Sequence, residues 1–315
     1  MEWFAQAPAN IALIKYMGKL DQLNNIPDNP SLSYTLDHLM TSVMMESATT
    51  QQDFWEPLDI PGGLLFTLHQ AEQVRFLKHL AFLKHYFNYS GGFIVRSSNN
   101  FPHSSGLASS ASSFAALTKC AVQALCDLTN RSMLSIDEQA RLSRMGSGSS
   151  CRSFFTPWAK WDGTLVESVE LPYVKLIHQV VLITHEAKSI SSSIAHQRVT
   201  TSPFYATRSH RARENLKLLM QALMQQDWLS AFNIVWREFH DMHQLFNTSA
   251  QAFSYMTLEC QHLLNILQDL WHQRGDGPLI TMDACPNIHL LYRVDQKVLA
   301  HQIKCDYLIG NYDVL

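Results

Sequence analysis

The run Asn99–Phe114, Asn-Asn-Phe-Pro-His-Ser-Ser-Gly-Leu-Ala-Ser-Ser-Ala-Ser-Ser-Phe, carries residue types suited to holding a polyphosphate. It sits between a strand-like run, Gly92–Ser98, and a helical pattern that continues from Phe114 to Leu125. Strand, loop, then helix turns the first N–H groups of the helix, free donors with a partial positive charge, toward an anion. Gly106 admits a tight turn that a side chain would block. Ser109, Ser110, Ser112 and Ser113 offer hydroxyls to phosphate oxygens or to a magnesium shell. No Gly-Lys-Ser/Thr follows the glycine, so the loop is not a Walker A motif. Serine is also an ordinary helix N-cap, so the loop by itself leaves phosphate binding and plain capping both open.

Three further segments carry chemistry: Pro8–Lys19 with Lys15, Arg144–Ser153 with Arg152, and Thr281–Asn287 with Asp283. They bring an ammonium, a guanidinium and a carboxylate from three distant parts of the chain. Each has a plain alternative. Lys15 reads equally as a solvated charge at a strand end, Gly146–Ser150 as a flexible turn, Arg152 as half of a surface ion pair, and Asp283 as a cap for a helix after Pro286. His240 and His243, three apart in a helical stretch, have no convincing third metal ligand near them in sequence. The six cysteines show no zinc-knuckle or redox spacing, which reads as reduced thiols.

The elements that must position these residues follow from periodicity. Residues 9–16 and 31–36 are extended, 41–46 alternates again, and Asn24–Pro30 is turn chemistry. Val74–Phe87 carries apolar residues at 76, 77, 80, 83 and 87, a helical period, and Ser135–Glu138 is a capping box that opens a helix to about Arg144. Val174–Thr184 reads as a buried strand. Helices are expected over 203–225 and 228–246, joined near Asp227, and over 256–274. Pro278–Ala284 is strand-like, 287–293 a strand or short helix, and 293–303 a terminal helix. The polar stretches 49–61, a hairpin or loop, and 185–205 lack strong periodicity and are candidates to close over a ligand. This order is α+β rather than a βαβ repeat, with a lobe boundary near Val174. The division is 1–173, a nucleotide-binding lobe, and 174–315, a lobe carrying Asp283.

Bulk properties narrow the classes. The chain has 315 residues, enough for two lobes with real cores, and a hydrophobic fraction of 46%. A net charge of -3 argues against a general nucleic-acid binder. No apolar run is long enough to span a bilayer and no secretory signal is visible, so no membrane partner and a cytoplasmic location are expected.

Taken together, the segments resemble the diphosphomevalonate decarboxylase family of the small-molecule (GHMP) kinase superfamily. The blocks are Pro8–Lys19, Pro27–Leu36, Gly106–Ala111, Gly146–Ser153 and Asp283–Asn287, in the family's order. The block at 146–153 is the most distinctive, because the wider superfamily lacks it. Departures are Met17 for the usual Trp, His103-Ser104-Ser105 before the loop glycine, Ser193 for the usual Arg or Thr, and Cys285 for the usual Gly. Met17 and Ser193 could retune the substrate pocket.

The resemblance implies a two-lobed fold, with a ribosomal protein S5-like N-terminal lobe, a ferredoxin-like C-terminal lobe and a cleft between them. It implies ATP-dependent decarboxylation of mevalonate 5-diphosphate to isopentenyl diphosphate in the mevalonate pathway, with ATP and Mg2+ and commonly as a homodimer. A mevalonate 3-kinase or phosphomevalonate decarboxylase is the neighbouring alternative, and a non-catalytic nucleotide-binding protein a more distant one. By the same resemblance Asp283, Lys15 and Arg152 would be catalytic. Asn10, Tyr16, Lys19, Ser147, Ser149, Arg152 and Ser192 would bind substrate, with Asn10 positioning Lys15 or the substrate. Ser97, Gly106, Leu107, Ala108, Ser109 and Ser110 would bind ATP, Ser109 also contacting Mg2+.

Overall fold

The computed structural model describes residues 1–102, 109–184 and 190–315. Gly106, Leu107 and Ala108, expected in the ATP cradle, lie outside the described residues. The N-terminal lobe holds β1 (Glu2–Ile14), β2 (Lys19–Asp21), β3 (Ile26–Pro27), β4 (Ser31–Ser47), β5 (Phe54–Pro57), α1 (Gln70–Tyr86), β6 (Phe93–Asn99), α2 (Ser109–Thr129), α3 (Ile136–Gly146), β7 (Trp158–Asp162) and β8 (Leu165–Ser168). The C-terminal lobe holds β9 (Leu176–Leu182), α4 (Ser192–Arg198), α5 (Arg208–Met224), α6 (Trp228–Thr248), α7 (Leu258–Arg274), β10 (Leu279–Met282), β11 (Asn287–Arg293), α8 (Lys297–Ile303) and β12 (Asp313–Val314). This is the α+β, two-lobed arrangement the resemblance implies.

Strand β4 organises the first lobe. It pairs antiparallel with β1 along one edge, and with β6 and then β7 along the other. The two alternating stretches read at 31–36 and 41–46 are thus one strand, continuous opposite a register shift between Pro8 and Ala9. The shift places three extra residues, 37–39, on β4, while β1 keeps its alternation through it. Before it, Trp3, Ala5 and Ala7 point into the N-terminal core beneath α2. After it, Ala9, Ile11 and Leu13 join a core shared with β9, α6 and β11 of the other lobe. One strand therefore stitches both cores, and Lys15 comes immediately after it.

The C-terminal sheet has the order β10-β11-β9-β12, all antiparallel. Residues 287–293, open between strand and helix in sequence, form the strand β11, because their side chains are buried on both faces. No helix follows Pro286, so Asp283 is not a cap. The stretch 49–61 is not loop alone: its residues 54–57 form β5, parallel to β6. Residues 190–205 are largely ordered as α4 and two short 3-10 turns, while 185–189 lie outside the described residues. The capping expected at Ser135 is present, its side chain accepting from the Glu138 N–H, and Asp227 caps α6 in the same way through Ser230.

Candidate active site

Between the lobes lies a cleft of about 650 Å3. The structure brings to its walls Asn10, Lys15, Tyr16, Lys19, Ser109, Ser110, Ser147, Ser149, Arg152, Ser192 and Asp283, eleven of the fifteen residues singled out by sequence. Ser97 is not among them. It is buried on β6 and its Oγ accepts a hydrogen bond from the Trp55 indole at 2.9 Å.

Lys15 is not a solvated charge. It is 1% exposed, and its Nζ donates to Asp283 Oδ1 at 2.7 Å across the lobe boundary. Burial pulls the Lys15 ammonium below its ordinary value of 10.5 despite the opposite charge beside it. For Asp283, burial alone would push the carboxyl up. Lys15, with Arg152 behind it, more than reverses this and holds the group below its ordinary value. Asp283 keeps 29% of its side chain exposed, so an ionised carboxylate faces the cleft.

Lys15 is placed through its main chain. Its N–H donates to Glu238 Oε1 at 3.0 Å, and its carbonyl accepts from Asn29 Nδ2 at 2.7 Å and Arg208 Nη2 at 3.0 Å. Glu238 and Arg208 are both 0% exposed and paired with each other. Asn215 Nδ2 donates to Glu238 at 2.7 Å, and Arg208 also reaches Asp241 at 2.7 Å. Breaking such a pair leaves a buried charge uncompensated, which fixes the geometry strongly. Asn10, expected to position Lys15 or the substrate, lines the cleft and bonds the Arg152 segment. Its Oδ1 accepts from Arg152 Nε at 3.1 Å, and its Nδ2 donates to Ser153 Oγ at 2.8 Å and Ser149 O at 3.2 Å. Asn10 precedes the end of β1 by four residues and so reaches the Arg152 segment instead of Lys15.

Arg152 sits in a 3-10 helix, Gly148–Phe154, rather than a flexible turn. It is buried, and its Nη1 donates to Ser31 Oγ at 2.8 Å while the guanidinium lies 5.8 Å over the Trp161 ring. It therefore has no surface acid as partner. Gly148 is required here by close approach: a Cβ would stand 2.8 Å from Tyr16 Oη. That hydroxyl is buried at the cleft without a hydrogen-bond partner among the described residues, a donor free for a ligand. Cys285, at the usual glycine position, causes no strain. The described non-glycine residues of positive φ are Asn25, Asn88, Asn130 and Gln226.

At the other end, Lys19 Nζ donates to Asn25 Oδ1 at 2.6 Å, and Ser147 Oγ lies 3.5 Å from Ser110 Oγ at the start of α2. Sequence reading missed Arg75, whose Nη2 donates to Gly146 O at 2.9 Å, with Glu72 and His69 beside it. The signal was available as charges on one face of α1, but helix period alone does not say which face meets a cleft. His196 was also missed. It accepts from the Gly18 N–H at 2.9 Å and stacks 4.4 Å from Tyr16. His240 and His243 share no metal geometry. His240 Nδ1 contacts Trp236 O at 2.8 Å and His243 Nε2 donates to Asp283 O at 3.2 Å. Among the described residues no group of His, Cys, Asp or Glu could hold a metal ion, and none of the helices is long and apolar enough to cross a membrane.

A two-lobed α+β fold with a lysine–aspartate pair facing a serine-lined helix start defines a small-molecule kinase type of protein. A family model described as the diphosphomevalonate decarboxylase-like N-terminal domain matches residues 7–168, and one for the mevalonate 5-diphosphate decarboxylase C-terminal domain matches 179–309. The chain belongs to the diphosphomevalonate decarboxylase family. It is 60% identical to a mevalonate diphosphate decarboxylase from Legionella pneumophila, with a TM-score of 0.94 and 100% of both chains covered. A solved structure described as MDDEF in complex with MVAPP, AMPPCP and magnesium is 26% identical, with a TM-score of 0.85, covering 100% of this chain and 96% of that one. The diphosphomevalonate decarboxylase of Candida albicans is 28% identical over 91% of this chain and 83% of its own.

Proposed function

We propose that this protein converts mevalonate 5-diphosphate and ATP to isopentenyl diphosphate, ADP, phosphate and carbon dioxide. The observation that carries this reading is the 2.7 Å Lys15–Asp283 pair beside Arg152, in a chain whose relatives bear that activity as their name. A tertiary hydroxyl is a poor leaving group, so phosphorylation comes first. Asp283 orients the substrate 3-hydroxyl and accepts its proton. Lys15 keeps Asp283 ionised and offsets charge on the phosphoryl group in transfer. Arg152 forks onto the substrate carboxylate, which a planar guanidinium suits. Tyr16, Lys19, Ser147, Ser149 and Ser192 hold the rest of the substrate, with Arg75 added from the geometry. Loss of the phosphate then builds positive charge at C3, and electrons from the carboxylate form the double bond as carbon dioxide leaves.

Ser109 and Ser110 fit the nucleotide phosphates, since both hydroxyls line the cleft at the first turn of a 21-residue helix. Mg2+, held in part by Ser109, would supply charge neutralisation between the β- and γ-phosphates. The lobes divide at 173/174 in this reading, supported by family matches that end at 168 and begin at 179. The test is to supply ATP and magnesium with mevalonate, its 5-phosphate or its 5-diphosphate, and measure both ADP and carbon dioxide. Equal ADP and carbon dioxide from the 5-diphosphate alone is expected. ADP without carbon dioxide would make it a kinase, and preference for the monophosphate would reassign the substrate.

A further inference from the structure

Three histidines form an unbroken file from the surface toward Asp283. His178 Nδ1 lies 3.0 Å from His38 Nε2, and His178 Nε2 lies 2.9 Å from His289 Nδ1. They come from β4, β9 and β11. His289 and Thr281 are cross-strand partners, so His289 shares a sheet face with Thr281, and Asp283 follows two residues later. His38 is 42% exposed and its Nδ1 lies 3.8 Å from Asp37 Oδ1. At the inner end, His289 is 1% exposed and its Nε2 is buried with no partner among the described residues. The rings spend their nitrogens on one another rather than converging on a point, which excludes a metal site and leaves a chain.

The reaction of this site needs somewhere to keep a proton. One proton leaves the hydroxyl as the phosphoryl group arrives. One is taken up when the tertiary phosphate departs and becomes hydrogen phosphate. The overall conversion neither releases nor consumes a proton, but the two events are separate in time.

We propose that His38, His178 and His289 are a proton relay for Asp283, taking up the hydroxyl proton during phosphoryl transfer and returning it when phosphate leaves. The relay rests on the reading given under Proposed function. In the resting polarity His289 Nδ1–H donates to His178 Nε2, and His178 Nδ1–H donates to His38 Nε2. Outward, the proton on Asp283 passes through a bridging water to His289 Nε2. His289 Nδ1–H then goes to His178 Nε2, His178 Nδ1–H to His38 Nε2, and His38 Nδ1–H to Asp37 or water. The chain now has the opposite polarity, with His289 Nε2–H facing inward. The return pass reverses every step, delivers the proton to the departing phosphate through Asp283, and restores the starting tautomers. Only O–H and N–H bonds are exchanged.

The electrostatics suit this. A relay needs neutral imidazoles, each with one N–H and one lone pair. Burial holds His178 well below the ordinary histidine value and His289 down to about 4. The charged groups acting on the file are Asp37 at the outer end, and Asp283 and Lys15 at the inner end. Asp283 favours proton uptake by His289 and Lys15 opposes it.

The test compares His178→Phe and His38→Ala with the wild-type full chain. His178→Phe keeps a ring and breaks the file. It is expected to lower kcat on the order of tenfold, leave KM for both substrates within about twofold, and raise the solvent deuterium isotope effect. His38→Ala, at an exposed position that folding tolerates, is expected to lower kcat less and to regain it when imidazole is added to the buffer. Wild-type kcat and isotope effect in the folded variants would overturn the relay. So would a His38→Ala loss that imidazole does not repair. If His178→Phe does not fold, His38→Ala decides alone. Wild-type protein that forms no carbon dioxide would instead sink the underlying reading.

Discussion

Two ion pairs meet at Lys15, and they differ in what they leave open. The Arg208–Glu238 pair is sealed, both side chains 0% exposed, with Asn215, Asp241 and the Lys15 main chain taking most of their remaining hydrogen-bonding capacity. The Lys15–Asp283 pair is sealed on one side only, because Asp283 keeps 29% of its side chain toward the cleft. A buried network this nearly filled fixes geometry, and its one unpartnered donor, Arg208 Nε, is sealed from any ligand. A half-open pair keeps an ionised carboxylate with lone pairs to spare. The first is therefore the frame that positions the lysine, and the second the pair to which the proposed reaction assigns the chemistry.

Removing one partner from the sealed pair should produce the largest effect. Glu238→Ala is expected to cost about 3–5 kcal/mol of stability, read as a fall in denaturation midpoint. A midpoint unchanged within error would deny the pair its framing role. Next is Asp283→Asn, expected to lower kcat on the order of a hundredfold or more with the denaturation midpoint near wild type. A large loss of stability with modest loss of turnover would exchange the roles assigned to the two pairs. Arg152→Ala should act like Asp283→Asn on turnover, with ATP still bound.

The pH profile sharpens the contrast. Asp283 is held below 3.8, so its carboxylate stays ionised through mildly acid pH and sets no acid limb there. Lys15 is held below 10.5, so its positive charge is lost early as pH rises, and kcat/KM should fall on the alkaline side before the ordinary lysine range. Lys15→Arg, with a guanidinium that does not titrate there, should remove that limb even as it lowers the rate. An alkaline limb that survives belongs to another group. The smallest effect is expected from Ser109→Ala, a rise in apparent KM for ATP of about two- to tenfold, from one lost hydrogen bond. A rise for mevalonate 5-diphosphate instead would move Ser109 to the other end of the cleft.

The half-open pair was legible in the sequence and the sealed one was not, for a physical reason. Lys15, Arg152 and Asp283 sit in short blocks of unusual composition, because groups that meet a ligand need small residues and turns beside them, as Gly148 shows beside Tyr16. Arg208 and Glu238 lie in α5 and α6, where a charged residue at a helical position reads as a solvated face until packing reveals it. Arg75 and His196 escaped for the same cause. Asn10, read as positioning Lys15 or the substrate, bonds Arg152, and composition does not say which distant segment a buried amide will reach. Ser97 was expected at the phosphates by resemblance alone, and its hydroxyl accepts from Trp55 on β5, a short strand within a stretch that periodicity did not resolve. The long alternating runs, by contrast, gave β4 in two pieces, and the helix periods gave α2, α6 and α7 within a few residues.

The claim on which the rest stands is that the Asp283 carboxylate, held ionised by Lys15, starts the reaction. Single-turnover measurement of carbon dioxide from carboxyl-labelled mevalonate 5-diphosphate, with saturating magnesium-ATP, tests it in wild-type protein and Asp283→Asn side by side. The account predicts rapid label release from the former and at least about a hundredfold slower release from the latter, both proteins binding ATP alike. Comparable release from the two proteins would contradict it.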